Sequence, residues 1–358
     1  MSLLASRSGR TLGVALIVVA AALAVAIVFA SGDDGTDDGN ANGGGDRSST
    51  DTAAESELPA AIDAGGGLRL VPRAAVPGAT TLSAVADELR LTDTARGVRY
   101  AVDRRTFESP APVAYSALSR IERSVPDPAT GQRWVAEETR LHRLDDTGAV
   151  VDTISLEVPG AIHSVADGAV WLTVSGVPEA HQSGTARSYL QRVDTATGEV
   201  ISVPLDDPAT FRFALGSGAA WVTVGRTVHR LDATTLEATG EVPLDEPASS
   251  LVVHDGVVMV TATTSPPHLV RFAADTLEPL ATIDLGAGAI GDAAVVAGPG
   301  GDELWVLRPD DDAIVRVHLA DGSTAEVGVP APLRIEVDDE GVAWVLAGGD
   351  DTVVHQVE

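Results

Sequence analysis

From about residue 66 onward, apolar and polar positions alternate in short runs broken by Gly, Pro, Asp and Thr. A two-residue period is that of half-buried β-strands, and no segment between 66 and 358 sustains the 3.6-residue period of a helix. The clearest run is a phrase that returns six times: a Gly or acidic residue, one or two apolar residues, Trp, then alternating Val, Leu and Thr. It is centred on Trp134, Trp171, Trp221, Met259 (Met standing for Trp), Trp305 and Trp344, and it holds all five tryptophans of the chain. A fainter copy without Trp lies at Leu89-Arg90-Leu91. Counted from Arg90, the intervals are 44, 37, 50, 38, 46 and 39 residues.

The best copy resolves each interval into four strands. Residues 161–166 form the first, Asp167-Gly168 the turn, 169–174 the second, 189–194 the third and 199–204 the fourth. Four antiparallel strands in about forty residues make one propeller blade. The fold class expected is therefore all-β, a seven-bladed β-propeller. Six blades is the alternative if 81–118, which lacks Trp and runs through Ser109-Pro110-Ala111-Pro112, is not a true blade.

A second phrase, Arg-apolar-Asp, closes the third strand: Arg143-Leu144-Asp145, Arg192-Val193-Asp194 and Arg230-Leu231-Asp232, with variants at Arg271-Phe272-Ala273 and Arg316-Val317-His318. Its Asp and the Thr that follow are expected to bond neighbouring backbone in turns, and its Arg to lie between blades. The last repeat stops after its third strand, at Gln356-Val357-Glu358. The missing fourth strand is expected from 67–72, which matches 199–204 and precedes the first full repeat, so that no open edge remains.

The Trp-apolar-Thr-apolar phrase followed by Arg-Val-Asp-x-x-Thr-Gly-Glu-Val resembles the YVTN and streptogramin-lyase-like propellers, and more distantly quinoprotein repeats. The resemblance covers about 67–358 and rests on framework phrases. It implies a propeller that binds ligands or proteins, or, as the alternative, a metal-assisted lyase or hydrolase with its site at the channel mouth. The lyases of that family hold Mg²⁺ with His and Glu, one signature being Glu-x-His. This chain has no Glu-x-His or His-x-His; its histidines are scattered at 142, 163, 181, 229, 254, 268, 318 and 355. Whether it is an enzyme stays open here, with no catalytic residues assigned.

Ahead of the repeats, residues 11–30 are almost wholly apolar and long enough to span roughly 30 Å of hydrocarbon as a helix. Arg7 and Arg10 precede them and Asp33, Asp34, Asp37 and Asp38 follow, which expects residues 1–10 in the cytoplasm and the remainder outside the cell membrane, on a single-pass signal anchor. Secretion after signal cleavage is the alternative, with Val28-Phe29-Ala30 as the cleavage site. Residues 31–65, rich in Gly, Asp, Ser and Thr, are expected to be a disordered linker, and 66–358 the propeller.

Composition narrows the partners. Against 24 cations, all Arg, stand 52 acidic residues, a formal charge of −28 that repels nucleic-acid backbones. The absence of Cys excludes disulfide staples, a lipid-modified N-terminus and thiol catalysis. No Walker loop, His-Glu-x-x-His, Gly-x-Ser-x-Gly or dinucleotide fingerprint is present. The expected partners are the membrane, through the N-terminal helix, and an envelope protein or small-molecule ligand.

Propeller ligands commonly meet the loops that lead into the innermost strands and those joining second to third strands. On that basis the candidate ligand-binding residues are His163, Arg212, Asp292, Arg334 and Glu336 near the innermost strands, and Glu179 and His181 in the longest loop, 175–188. Two acidic loops, Asp310-Asp311-Asp312 and Asp350-Asp351, offer oxygen ligands for a divalent cation, Ca²⁺ or Mg²⁺. Solvated turns explain the same residues, because Asp favours turns for its own local hydrogen bonds.

Overall fold

The structure, a computed structural model, describes residues 58–358 apart from 86, 109–110, 179–185, 206–211, 263–265, 299, 339 and 349–351. The candidate anchor at 11–30 and nearly all of the linker lie outside the described residues. Among the described residues, no helix is long and apolar enough to cross a membrane.

The chain forms seven antiparallel sheets, the blades of a seven-bladed β-propeller. Six are meanders of four consecutive strands, at 81–114, 125–155, 161–205, 213–243, 248–284 and 293–328. The Trp-less repeat at 81–114 is a full member of the set, which decides for seven over six. A four-residue helix, Arg120–Arg123, capped by a Ser119–Glu122 box, precedes the second blade. Two compact units divide the sheets: 119–290 holds blades two to five, and 58–118 with 291–358 holds blades one, six and seven.

The hairpins follow from the turn residues. Asp167-Gly168, Ser217-Gly218 and Asp255-Gly256 each place two successive residues at positive φ (52 and 72°, 52 and 69°, 45 and 74°). That is the tight two-residue turn whose twist matches the strands it joins. The recurring Asp works as expected. Asp194 accepts from the Ala196 and Thr197 amides, Asp232 from Thr234 and Thr235, and Asp145 from Thr147 and Ala149.

Each Trp is buried against the next blade of its own unit. Trp134 packs with Val165, Val170 and Leu172 of blade three, Trp171 with Ala220 and Val222 of blade four, and Trp221 with Val258 and Val260 of blade five. In the other unit Trp305 packs with Leu70 and Val345 of blade seven, and Trp344 with Leu89, Leu91 and Val102 of blade one. The recurring Arg stands directly opposite the Trp on the neighbouring strand (Trp134↔Arg143, Trp171↔Arg192, Trp221↔Arg230, Trp305↔Arg316) and so shares its face. Arg230 and Arg316 lie over the indoles, 5.9 and 5.5 Å from the ring centres.

The seventh blade is composite. Pro332–Val337, Ala343–Ala347 and Val353–Val357 are joined by Leu68–Ala75, which pairs antiparallel with the C-terminal strand. A fifth strand, Ile62–Gly65, which the sequence reading had placed in the linker, pairs outside it. Arg316 fastens this addition: it forks onto Glu303 (2.6 and 2.7 Å) and donates to the carbonyls of Ala64 and Gly65. The register differs by two residues from the match of 67–72 with 199–204. Val71 faces Gln356 as Ile201 faces Arg192, so Pro72 takes the place of Ser202. A two-residue slip leaves every side chain on its original face, which is why alternation alone does not fix it.

Candidate functional site

The described candidates fall into the two units and form two separate sets. In the unit of blades two to five, His163 lies on the innermost strand of blade three, Ala161–Ala166, and Arg212 immediately precedes that of blade four, Phe213–Gly216. The His163 ring meets Phe213 edge-on, 4.9 Å between centres. Solvent reaches the ring, yet enough protein surrounds it that burial pushes its pKa down to about 4, and the imidazole is neutral at physiological pH. Arg212 donates through Nε to the carbonyl of Ser249, on the innermost strand of blade five, and its own amide bonds Thr223 Oγ1 at 2.9 Å.

In the other unit, Asp292 of blade six accepts from Ala293 N (3.0 Å) and from Ile335 N of blade seven (3.3 Å). Glu336 of blade seven in turn accepts from Ala84 N of blade one. Arg334 bonds the carbonyl of Leu333 at 2.9 Å. Arg212, Asp292 and Glu336 therefore share a job: each links its blade to the innermost strand of the next through a backbone bond. Their polarity is used in holding blades together, and that weakens the lyase-type alternative, which needs these groups turned to a substrate.

Glu336 is chemically the most unusual of them. The residue opposite the Trp mark on each innermost strand is Ser83, Val125, Ser164, Ala214, Val252 and Ala294 in blades one to six, and Glu336 in blade seven. An acid in a slot otherwise small or apolar loses water. Burial, and then repulsion by the Asp292 and Asp338 carboxylates, push its pKa up to about 8 against the pull of the Ala84 amide. The group is largely protonated at neutral pH.

Asp338, two residues on, shows the opposite balance. Burial raises its pKa, but the Trp344 indole N–H (2.9 Å), the Val342 amide and the Arg104 guanidinium outweigh burial and hold it below the usual carboxylate range. Asp338 and Arg104 form a nearly buried ion pair between blades seven and one, their side chains 2% and 7% exposed. Sequence reading missed both residues, though an Asp two positions past an out-of-pattern Glu, just beyond the end of its strand, was a signal for a second polar group nearby.

The proposed cation loops are partly visible. Asp311 bonds Arg308 Nε and Nη2 (3.0 and 2.7 Å), and Asp312, in the left-handed conformation at φ 50°, accepts from Ala331 N at 2.8 Å. The first is an ion pair within the loop and the second ties the loop to a backbone amide 19 residues on, and Asp310 is exposed beside them. Asp350 and Asp351 lie outside the described residues, as do Glu179 and His181. The strands flanking the 175–188 loop are described, however, and are unusually long. Ala169–Pro178 and Ala186–Asp194 pair with each other as far as Val177↔Arg187 and Pro178↔Ala186. The inner partner of this hairpin ends earlier, at Ala161↔Thr173. The hairpin thus runs past its inner strand as an arm, whereas the equivalent hairpin of blade four turns at once after Val224↔Thr227.

No family model matches the chain, and no curated protein does. Among solved structures it is similar to Kuenenia stuttgartiensis hydrazine synthase (TM-score 0.55, 12% identity, 78% of this chain and 95% of that one). It is also similar to the Neurospora crassa Pan2 WD40 domain (TM-score 0.53, 12% identity, 78% and 89%). At such identities the likeness shows the propeller fold alone.

Proposed function

We propose that this chain is a binding module of the cell envelope, tethered by residues 11–30 with its propeller outside the membrane. The apolar run with Arg before it and Asp after it supports the placement. The observation that carries the binding reading is the arm of blade three, whose inner edge, on Ala169–Pro178, carries backbone N–H and C=O groups past the last pair with Ala161–Ala166. Such an edge receives an extended segment of another protein as an added strand. With a net charge of −28, the preferred segment is rich in Arg and Lys.

The test replaces 177–187 by a two-residue Asn-Gly turn, ending the hairpin where blade four ends its own. Zero-length cross-linking in intact cells, followed by mass spectrometry, then compares partners of the two forms at equal abundance. The expected result is selective loss of a cross-linked basic segment from the shortened form. Identical partner sets would refute the role of the arm. Protease accessibility of the propeller in intact cells tests the placement independently, and protection from protease would refute that part.

A further inference from the structure

Among the described residues, blade seven alone carries a fifth strand, Ile62–Gly65, and any pull on the chain that precedes it reaches the propeller through it. The strand is held from two sides. On one it pairs with the completing strand at Ile62↔Leu70, Asp63↔Arg69 and Gly65↔Leu68, and Ala64 is left out of the ladder as a bulge. On the other stands Arg316 of blade six. Its Nη1 donates to the carbonyls of Ala64 and Gly65, while Nε and Nη2 fork onto Glu303. The equivalent Arg143 and Arg192 pair with Asp152 and Asp194 of their own blades, and Arg230 with the carbonyl of Asp275 in the next. Arg316 differs in grasping a strand that the other blades do not have.

The strand is built to come away by itself. Only Ala64 is buried and Ile62 half-buried, while Asp63 and Gly65 are exposed, so little apolar surface holds it down. Gly65-Gly66-Gly67, at φ 73, 62 and 87°, follow it as a pivot in conformations that glycine takes without strain. A Cβ on Gly66 would stand 2.9 Å from Arg316 Nη2, so the pivot also makes room for the guanidinium. The next strand, Leu68–Ala75, has its own hold on the blade. It pairs with the C-terminal strand from Leu70↔Val357 to Ala75↔Val353, and Arg69 and Glu358 exchange both backbone bonds (2.7 and 2.8 Å). The chain enters the first strand at Ile62, the end away from the glycine turn. A pull there breaks the pairs one after another, not all at once.

We propose that Ile62–Gly65 is a tension-released latch: a pull on the preceding chain peels it from Leu68–Leu70 and out of the Arg316 fork while the composite blade stays closed. The freed backbone edge of Leu68–Leu70 and the Arg316 guanidinium recapture the strand when tension falls. Local opening of this kind belongs to the least stable parts of a fold, and the latch is the part of blade seven with the fewest holds. The source of the tension rests on the membrane placement proposed above. The latch itself does not, nor does it depend on the blade-three arm, so a failure of either reading is seen separately in the protease and cross-linking tests.

The chain has no native Cys, so pulling handles can be placed at will. The full-length protein in lipid nanodiscs is held in magnetic tweezers through Ser49→Cys, ahead of the latch, and Asp87→Cys, an exposed position in blade one. The expected result is a reversible step on the order of 10–20 Å, from freeing residues 62–67, at a force below that which opens the rest of the blade. Arg316→Lys keeps a cation for Glu303 and cannot fork onto the strand as well. It is expected to raise the open fraction at a given force roughly tenfold, the effect of one charge-assisted hydrogen bond. Rupture of the blade with no earlier step, or a step that Arg316→Lys leaves unchanged, would overturn the proposal. If a variant unfolds before the unmodified protein, amide hydrogen exchange of the unmodified protein decides. Exchange at 62–65 that is faster than at 353–357 and independent of global unfolding supports the latch, and exchange of both segments together overturns it.

Discussion

Glu336 should make the protein less stable as pH rises through neutrality, and replacing it with Gln should abolish that loss. Its folded pKa of about 8 lies well above the 4.5 of the free side chain. Below 4.5 both folded and unfolded forms hold the proton, and the group contributes no pH dependence. Between 4.5 and 8 the unfolded chain releases a proton that the folded one keeps, so unfolding becomes progressively easier with pH. Above 8 both are ionised and the penalty is fully expressed. At about 1.4 kcal/mol per pH unit, the penalty reaches roughly 5 kcal/mol as a ceiling, which water entry and local relaxation reduce. Glu336→Gln keeps a carbonyl to accept the Ala84 amide and cannot ionise. Urea unfolding of both forms from pH 5 to 9 is the assay. The variant should nearly match the wild type at pH 5 and exceed it by roughly 2–5 kcal/mol at pH 9. Asp292→Asn, which removes a repelling carboxylate from around Glu336, should lower the Glu336 pKa toward 4.5, so that the decline ends at lower pH and is smaller. Stability curves for wild type and Glu336→Gln that run parallel across this range would refute the reasoning.

Two further substitutions test the packing. Asp338→Ala strands the Arg104 guanidinium and the Trp344 indole N–H in a buried place, and should cost roughly 3–5 kcal/mol in urea unfolding. Arg104→Ala leaves Asp338 its bonds from Trp344 and Val342 and should cost less; the reverse order would contradict the assignment. Trp305→Ala, which empties the space between blades six and seven and removes the ring beneath Arg316, should cost roughly 3–5 kcal/mol by the same measurement. A loss under 1 kcal/mol would place the indole outside the core.

The framework was legible because it repeats. Trp134, Trp171, Trp221, Trp305 and Trp344 mark the second strands, and Asp145, Asp194 and Asp232 mark turns, since each meets the same neighbours in every blade. The completing strand was legible in kind and not in register, because a slip by two residues preserves alternation. Features that occur once were harder to see. Glu336 stands out only after it is aligned with Ala294 and Ala214, and Arg104 meets Asp338 across a sequence separation that no local pattern spans. His163, Arg212, Asp292, Arg334 and Glu336 were correctly placed at or beside innermost strands. Their use as fasteners between blades could not be read without the neighbouring backbone.

The composite seventh blade underlies the fold, and the lack of native Cys makes it directly testable. Val71 and Gln356 face each other across the two ends of the propeller. Residues opposite each other in an antiparallel pair are about 4.5–5.5 Å apart at Cα, within disulfide reach. Val71→Cys with Gln356→Cys should therefore oxidise to a cyclised chain of altered mobility on denaturing gels, reversed by reductant. Arg69→Cys with Gln356→Cys, two residues out of register, should not. Cross-linking of the second pair in place of the first, or of neither, would contradict the closure of the propeller by its N-terminal strand.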